Sequence, residues 1–126
     1  MKFLLIMHMN PRIWEALTED ERNEVMQGHD GFTETIRGSG EMLGSVALAE
    51  PENSAVVRVR DGVPAVSDGP YLEAKEYLGG YYLVECASRE RAFELAAMIP
   101  DARVEGLGVE VRQVVFSAGA EAASEG

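Results

Sequence analysis

The chain holds two histidines, His8 and His29, and imidazole is the side chain whose ordinary pKa of about 6.5 suits proton exchange near neutrality. His29 falls on an apolar stripe, Val25, His29, Phe32 and Ile36, whose spacing matches one face of a helix. A histidine so placed faces a sheet or a cleft beside it. Two readings of it stand: a core imidazole satisfied by a backbone carbonyl or water, or a general acid or base. Acid-base work needs a carboxylate within hydrogen-bond reach of the ring. Asp30 is adjacent, but successive helical residues point about 100° apart. Asp68, in the turn-forming run from Ser67 to Tyr71, is the better partner, because functional groups concentrate in loops. The same side chain has a structural use, an Asx-turn ahead of Gly69-Pro70.

Glu73, Lys75 and Glu76 follow in the same loop. Loop charges are usually solvated, but Lys75 can also pair with Glu73 or Asp68, or hold a substrate carboxylate as a point charge. His8 closes the first apolar run on the Leu4 and Ile6 face, where a structural or interface role is expected and access to a cleft stays open. Arg58 and Arg60 share one strand face and could bind an anion or meet opposing acidic groups. Other chemistries lack their residues. The chain has no Cys-x-x-Cys, no His-x-x-x-His, no Gly-rich phosphate loop before a helix and no Gly-x-Ser-x-Gly elbow. With two histidines and one cysteine, no metal site and no cofactor are expected. Cys86, on a strand interior, reads as a small buried hydrophobe rather than a nucleophile.

The elements that must position these groups are legible from periodicity and punctuation. Phe3 to Met9 is an apolar run of strand length closed by Asn10-Pro11, and reads as a strand buried on both faces. A short amphipathic piece around Trp14 and Leu17 precedes Thr18-Glu19-Asp20-Glu21, the spacing of a capping box. A helix is therefore expected from Glu19 to a stop at Gly38-Ser39-Gly40, with Gly28 and Gly31 either permitting close packing or marking a kink. Met42 to Leu48 suits a second strand. Ala55 to Arg60 and Val63 to Val66 flank Asp61-Gly62, the favoured two-residue hairpin turn, with Pro64 placing the return strand at an edge. Tyr81 to Cys86 is a further strand. Ser88 caps a helix with Ala92, Phe93, Ala96, Ala97 and Ile99 as its apolar face, and Pro100 ends it. Asp101 to Gly108 reads as a loop, and Val109 to Phe116 as the last strand.

The order is that of a split β-α-β, a ferredoxin-like α+β plait with an extra β-hairpin. Two helices can cover only one sheet face, and a large uncovered apolar face marks a partner surface, so a homodimer packed through the open sheet face is expected. The chain has 126 residues, 46% hydrophobic and 26% charged, which fits one domain over residues 1–116 with a mobile tail over 117–126. The 22 acidic and 11 basic residues give a net charge of −11, which repels phosphate backbones and anionic lipid. Neither nucleic acid nor membrane is expected as a partner. The apolar start is too short for a signal peptide, and no stretch reaches the length of a membrane span. A cytoplasmic protein is the expectation.

Asp68-Gly69-Pro70-Tyr71, then Glu73-Ala74-Lys75-Glu76, then Gly79-Gly80-Tyr81, resembles the signature of the YCII-related family in its DGPF branch, with Tyr71 where that branch has Phe. Lys2 to Leu5, the strand from Gly40 to Leu48, Arg58 to Gly62 and Ala97 to Pro100 resemble family positions in the family order. The resemblance covers about residues 1 to 116 and implies a dimeric ferredoxin-like fold. It further implies a His-Asp pair acting as acid and base in a cleft, with some relatives similar to dehydrochlorinases of muconate-type products. Other DGPF proteins are associated with sigma factors, which implies the alternative of a non-catalytic ligand-binding or regulatory module linked to transcription. On the first reading the protein is a cofactor-free lyase or isomerase acting on a small organic acid. His29 and Asp68 are then the catalytic candidates, and Lys75, Glu73, Glu76, Tyr71 and His8 the candidates for binding a small anionic substrate.

Overall fold

The opening apolar run forms β1 (Lys2–Met9), an interior strand of a four-stranded antiparallel sheet in a computed structural model that describes residues 1–119. The other strands are β2 (Met42–Ala47), β5 (Tyr77–Glu85) and β6 (Val109–Gln113), in the order β2-β5-β1-β6. Helices α1 (Pro11–Ala16), α2 (Glu19–Gly38) and α3 (Arg89–Met98) complete the ferredoxin-like plait. The extra hairpin, β3 (Ala55–Arg60) and β4 (Val63–Asp68), stands as a separate two-stranded sheet. Asp61 and Gly62 at its tip have φ of 50° and 77°, as a type I′ turn requires. Residues 120–126 of the expected tail lie outside the described residues.

α2 starts where its capping box places it. The Glu21 amide donates to the Thr18 hydroxyl at 3.1 Å, and the Thr18 amide to the Glu21 carboxylate at 2.9 Å. Its stripe packs on the sheet, with Phe32 and Ile36 buried. Gly28 is a close approach, since a Cβ built there would run into the Pro100 ring, whereas nothing in the structure explains Gly31. Phe3, Leu5 and Met7 of β1 join Tyr82 and Val84 of β5 in one core with α2 and α3.

One expected helix face and two expected strand boundaries shift. On α3, Leu95 is buried and Phe93 is 46% exposed, because the period from Ala92 runs through Leu95 and Ala96 to Ile99. The Phe93 ring instead carries the Arg89 guanidinium at 5.3 Å. β5 begins at Tyr77 rather than Tyr81, because Gly79 and Gly80 lie within the strand. A side chain at Gly80 would collide with the Val46 carbonyl of β2. β6 ends at Gln113 rather than Phe116, and Val115 and Phe116 stand out from the surface.

Candidate functional site

Three elements bring three polar side chains together beneath α2. Alternation along β5 turns Tyr82 inward with Val84, and the stripe on α2 sets His29 and Phe32 above it. The Phe32 ring meets Tyr82 edge-on at 4.8 Å between centroids, and the His29 ring lies nearly parallel to Tyr82 at 5.9 Å. The third element is a short 3-10 turn, Pro100–Arg103, that carries Asp101. Segment 101–108 was expected to be a loop. The proline that stops α3 instead starts this turn, and its fixed φ suits that first position.

His29 Nδ1 lies 2.7 Å from the Tyr82 hydroxyl, and Nε2 lies 2.8 Å from Asp101 Oδ1. A carboxylate accepts, so Nε2 carries hydrogen and donates to Asp101, leaving Nδ1 as an acceptor for the Tyr82 hydroxyl. The phenol suits that role. Burial pushes the Tyr82 pKa up, a hydrogen bond with Thr33 opposes this, and the charges of Asp101 and Asp30 add to the rise. Tyr82 therefore holds its proton and donates it. Asp101 is almost fully enclosed, with its side chain 4% exposed, while the His29 side chain is 23% exposed. The histidine is the member of the set that solvent reaches.

Asp68, expected beside His29, does not make this contact. It is the last residue of β4, paired in register with Ala55 and exposed, and the next amide, Gly69 N, donates to the Ser54 carbonyl at 2.8 Å. The hairpin ladder fixes it there, and the carboxylate bonded to His29 is Asp101. Tyr71, Glu73, Lys75 and Glu76 are exposed between β4 and β5. Tyr71 lies under the Arg58 guanidinium at 5.8 Å, and Lys75 pairs with neither Glu73 nor Asp68. His8 sits on the opposite sheet face, bonded to Glu110 at 2.7 Å. That bond holds the Glu110 carboxyl below its ordinary range, with Arg112 assisting. Among the described residues no cluster of three His, Cys, Asp or Glu side chains is arranged to hold a metal.

Asp101 and Tyr82 are the partners that the sequence reading missed, although both left a signal. A tyrosine on the inward phase of a strand needs a hydrogen-bond partner for its hydroxyl, and the polar residue on the stripe above it is His29. A glycine inside α2 at position 28 announces a close neighbour, and that neighbour is Pro100, one residue before Asp101.

The model of the YCII-related domain matches residues 1–117. An uncharacterized protein of Rhizobium meliloti (strain 1021) is 29% identical over 117 residues, covering 92% of this chain and 94% of that relative.

Proposed function

Because the chain belongs to the YCII-related domain family and sets a part-exposed histidine against an enclosed aspartate, we propose that it is a cofactor-free acid-base enzyme. The reaction is of lyase or isomerase type, on a small organic acid. The observation that carries this reading is the bond of 2.8 Å between His29 Nε2 and Asp101 Oδ1. Asp101 fixes the imidazole tautomer and supports the imidazolium when His29 takes a proton. Nδ1 is the nitrogen that exchanges the proton with substrate, and the Tyr82 hydroxyl occupies it in the resting protein. In an isomerase a proton taken from one substrate carbon is returned at another as the double bond shifts; in a lyase the C–H electron pair forms a C=C bond, the leaving group departs with its own pair, and His29 passes the proton to that group or to water.

A second reading, a non-catalytic ligand-binding or regulatory module linked to transcription, is favoured by one observation. Both imidazole nitrogens already have partners within the protein, so His29 can be satisfied without a substrate. A screen of small carboxylic acids with wild type, His29→Gln and Asp101→Asn separates the two. The enzyme reading expects turnover that falls by about 10²–10⁴-fold in His29→Gln while the variant stays folded. A wild type inert across the screen, with variants that lose only stability, favours the second reading.

We also propose a homodimer through the open sheet face, where Leu4, Tyr81 and Leu83 stand side by side without joining the core beneath the helices. The DGPF branch rests on the run from Asp68 to Tyr71. A cytoplasmic setting accords with the single buried thiol of Cys86. No helix among the described residues is long and apolar enough to cross a membrane.

A further inference from the structure

Between α1, the first half of α2 and the 3-10 turn lies a cavity of about 770 Å³, within the range of small-molecule sites. Its lining is mainly apolar, from Ile13 and Leu17 on one side to Val25, Met98 and Val104 on the others. A close backbone approach lies beside it. Gly106, at φ 89°, brings the loop after the turn against α1, where a Cβ would stand 2.6 Å from Ile13 Cδ1.

Two arginines, Arg12 on α1 and Arg103 on the turn, share this lining. Neither forms an ion pair with a described carboxylate. Their planar forks remain available for a carboxylate, which they match in two-point geometry. Three glutamates also line the cavity, but they differ in what they can do. Glu21 is engaged with the Thr18 amide in the capping box. Glu24 and Glu105 remain, and the charges of all three oppose a ligand with several negative groups. The combination selects an apolar body with a single carboxylate.

Gly28 and Pro100, in close approach, also line the cavity. Each is one residue before a member of the hydrogen-bonded pair, Gly28 before His29 and Pro100 before Asp101. The cavity and the pair therefore share two stretches of backbone.

We infer that this cavity is a binding site for an amphipathic monocarboxylic acid, whose apolar body lies on Ile13, Leu17, Val25 and Val104 and whose carboxylate is held by Arg12 and Arg103. That such an acid is also the substrate rests on the acid-base reading of His29 and Asp101, whereas the binding itself does not.

The test uses the full chain and three probes with one apolar body, 4-phenylbutyrate, 4-phenylbutyramide and 4-phenylbutylamine, measured by calorimetry and by fluorescence of Trp14 on α1. The carboxylate is expected to bind at least about tenfold more tightly than the amide, and the Arg12→Gln/Arg103→Gln double variant to lose that margin. Arg12→Lys/Arg103→Lys, which keeps the charges without the forks, is expected to lose part of it. This second variant also serves if the first melts early. Equal binding of carboxylate and amide, tightest binding of the amine, or no saturable binding of the carboxylate at about 10 mM overturns the proposal. His29→Gln is expected to bind the carboxylate as wild type does. Acids that bind but are never turned over leave the site standing and count against the acid-base reading. Turnover of an amphipathic acid that the double arginine variant leaves untouched, with no loss of binding, counts against the site alone.

Discussion

Tyr82 covers the nitrogen of His29 that Asp101 leaves basic. Replacing it with Phe keeps the ring that Phe32 packs against and removes only the hydroxyl on Nδ1. Tyr82→Phe is expected to cost about 1 kcal/mol of stability and to leave the tautomer that Asp101 fixes, read from the ring nitrogen shifts by NMR. A mixture of tautomers in that variant would show that Tyr82 shares in fixing it. Asp101→Asn removes the charge behind the ring while preserving shape, and is expected to destabilise by about 1–3 kcal/mol, measured by denaturant unfolding. The phenol also gives a pH signature. Its folded pKa is raised by burial, so the unfolded chain gives up this proton first, near pH 10. The Tyr82 contribution is full below that value and is lost as pH rises through the folded pKa, and Tyr82→Phe should flatten the alkaline limb of the stability curve. At this scale the sequence was half legible. Helical spacing marked His29, but its carboxylate lies 72 residues away, and no local pattern fixes which distant aspartate a turn will deliver.

Elements were more legible, because their signals are local. Thr18 and Glu21 mark the start of α2 by a hydrogen-bond pattern that three intervening bonds of chain suffice to specify. The start of β5 was harder, since Gly79 and Gly80 read as a turn until β2 is seen to need the space over Gly80. How the elements fit makes Gly28 a sensitive point. Gly28→Ala forces its methyl against the Pro100 ring and must shift the turn that carries Asp101. A loss of about 1–3 kcal/mol is expected, with a weakened contact between His29 and Asp101 visible in a crystal structure. A variant as stable as wild type with that contact intact would show that the turn yields freely. A second joint is the ion pair of Arg91 on α3 with Glu41 just before β2, at 2.9 and 3.0 Å. The Arg91 guanidinium holds the Glu41 carboxyl below its ordinary range. The depressed value makes its contribution present above about pH 4.5 and lost as pH falls through the folded value. Glu41→Gln should lessen acid unfolding cooperativity with pH while lowering stability at neutrality.

For the whole molecule, the proposed partner packs on the sheet face opposite α2 and α3, and the charge of −11 does not prevent pairing where the face itself is apolar. Solution mass at micromolar concentration should be that of a dimer. Leu83→Glu, opposite Leu4 in the sheet register, should yield folded monomers, whereas a wild type that is monomeric at that concentration would remove the proposal. The expectation of a partner comes from counting helices against sheet area, whereas the fate of the hairpin was not readable. Its apolar face, Val57 and Val59 with Val66, is 63–71% exposed, because β3 and β4 pair only with each other and not with the main sheet. A two-stranded ribbon is marginal by itself. Backbone amides of β3 and β4 can thus open and trade hydrogen for deuterium without disturbing β1, whose amides wait for the core to come apart. One chain of this length keeps two clocks, a fast one in the hairpin and a slow one in the plait.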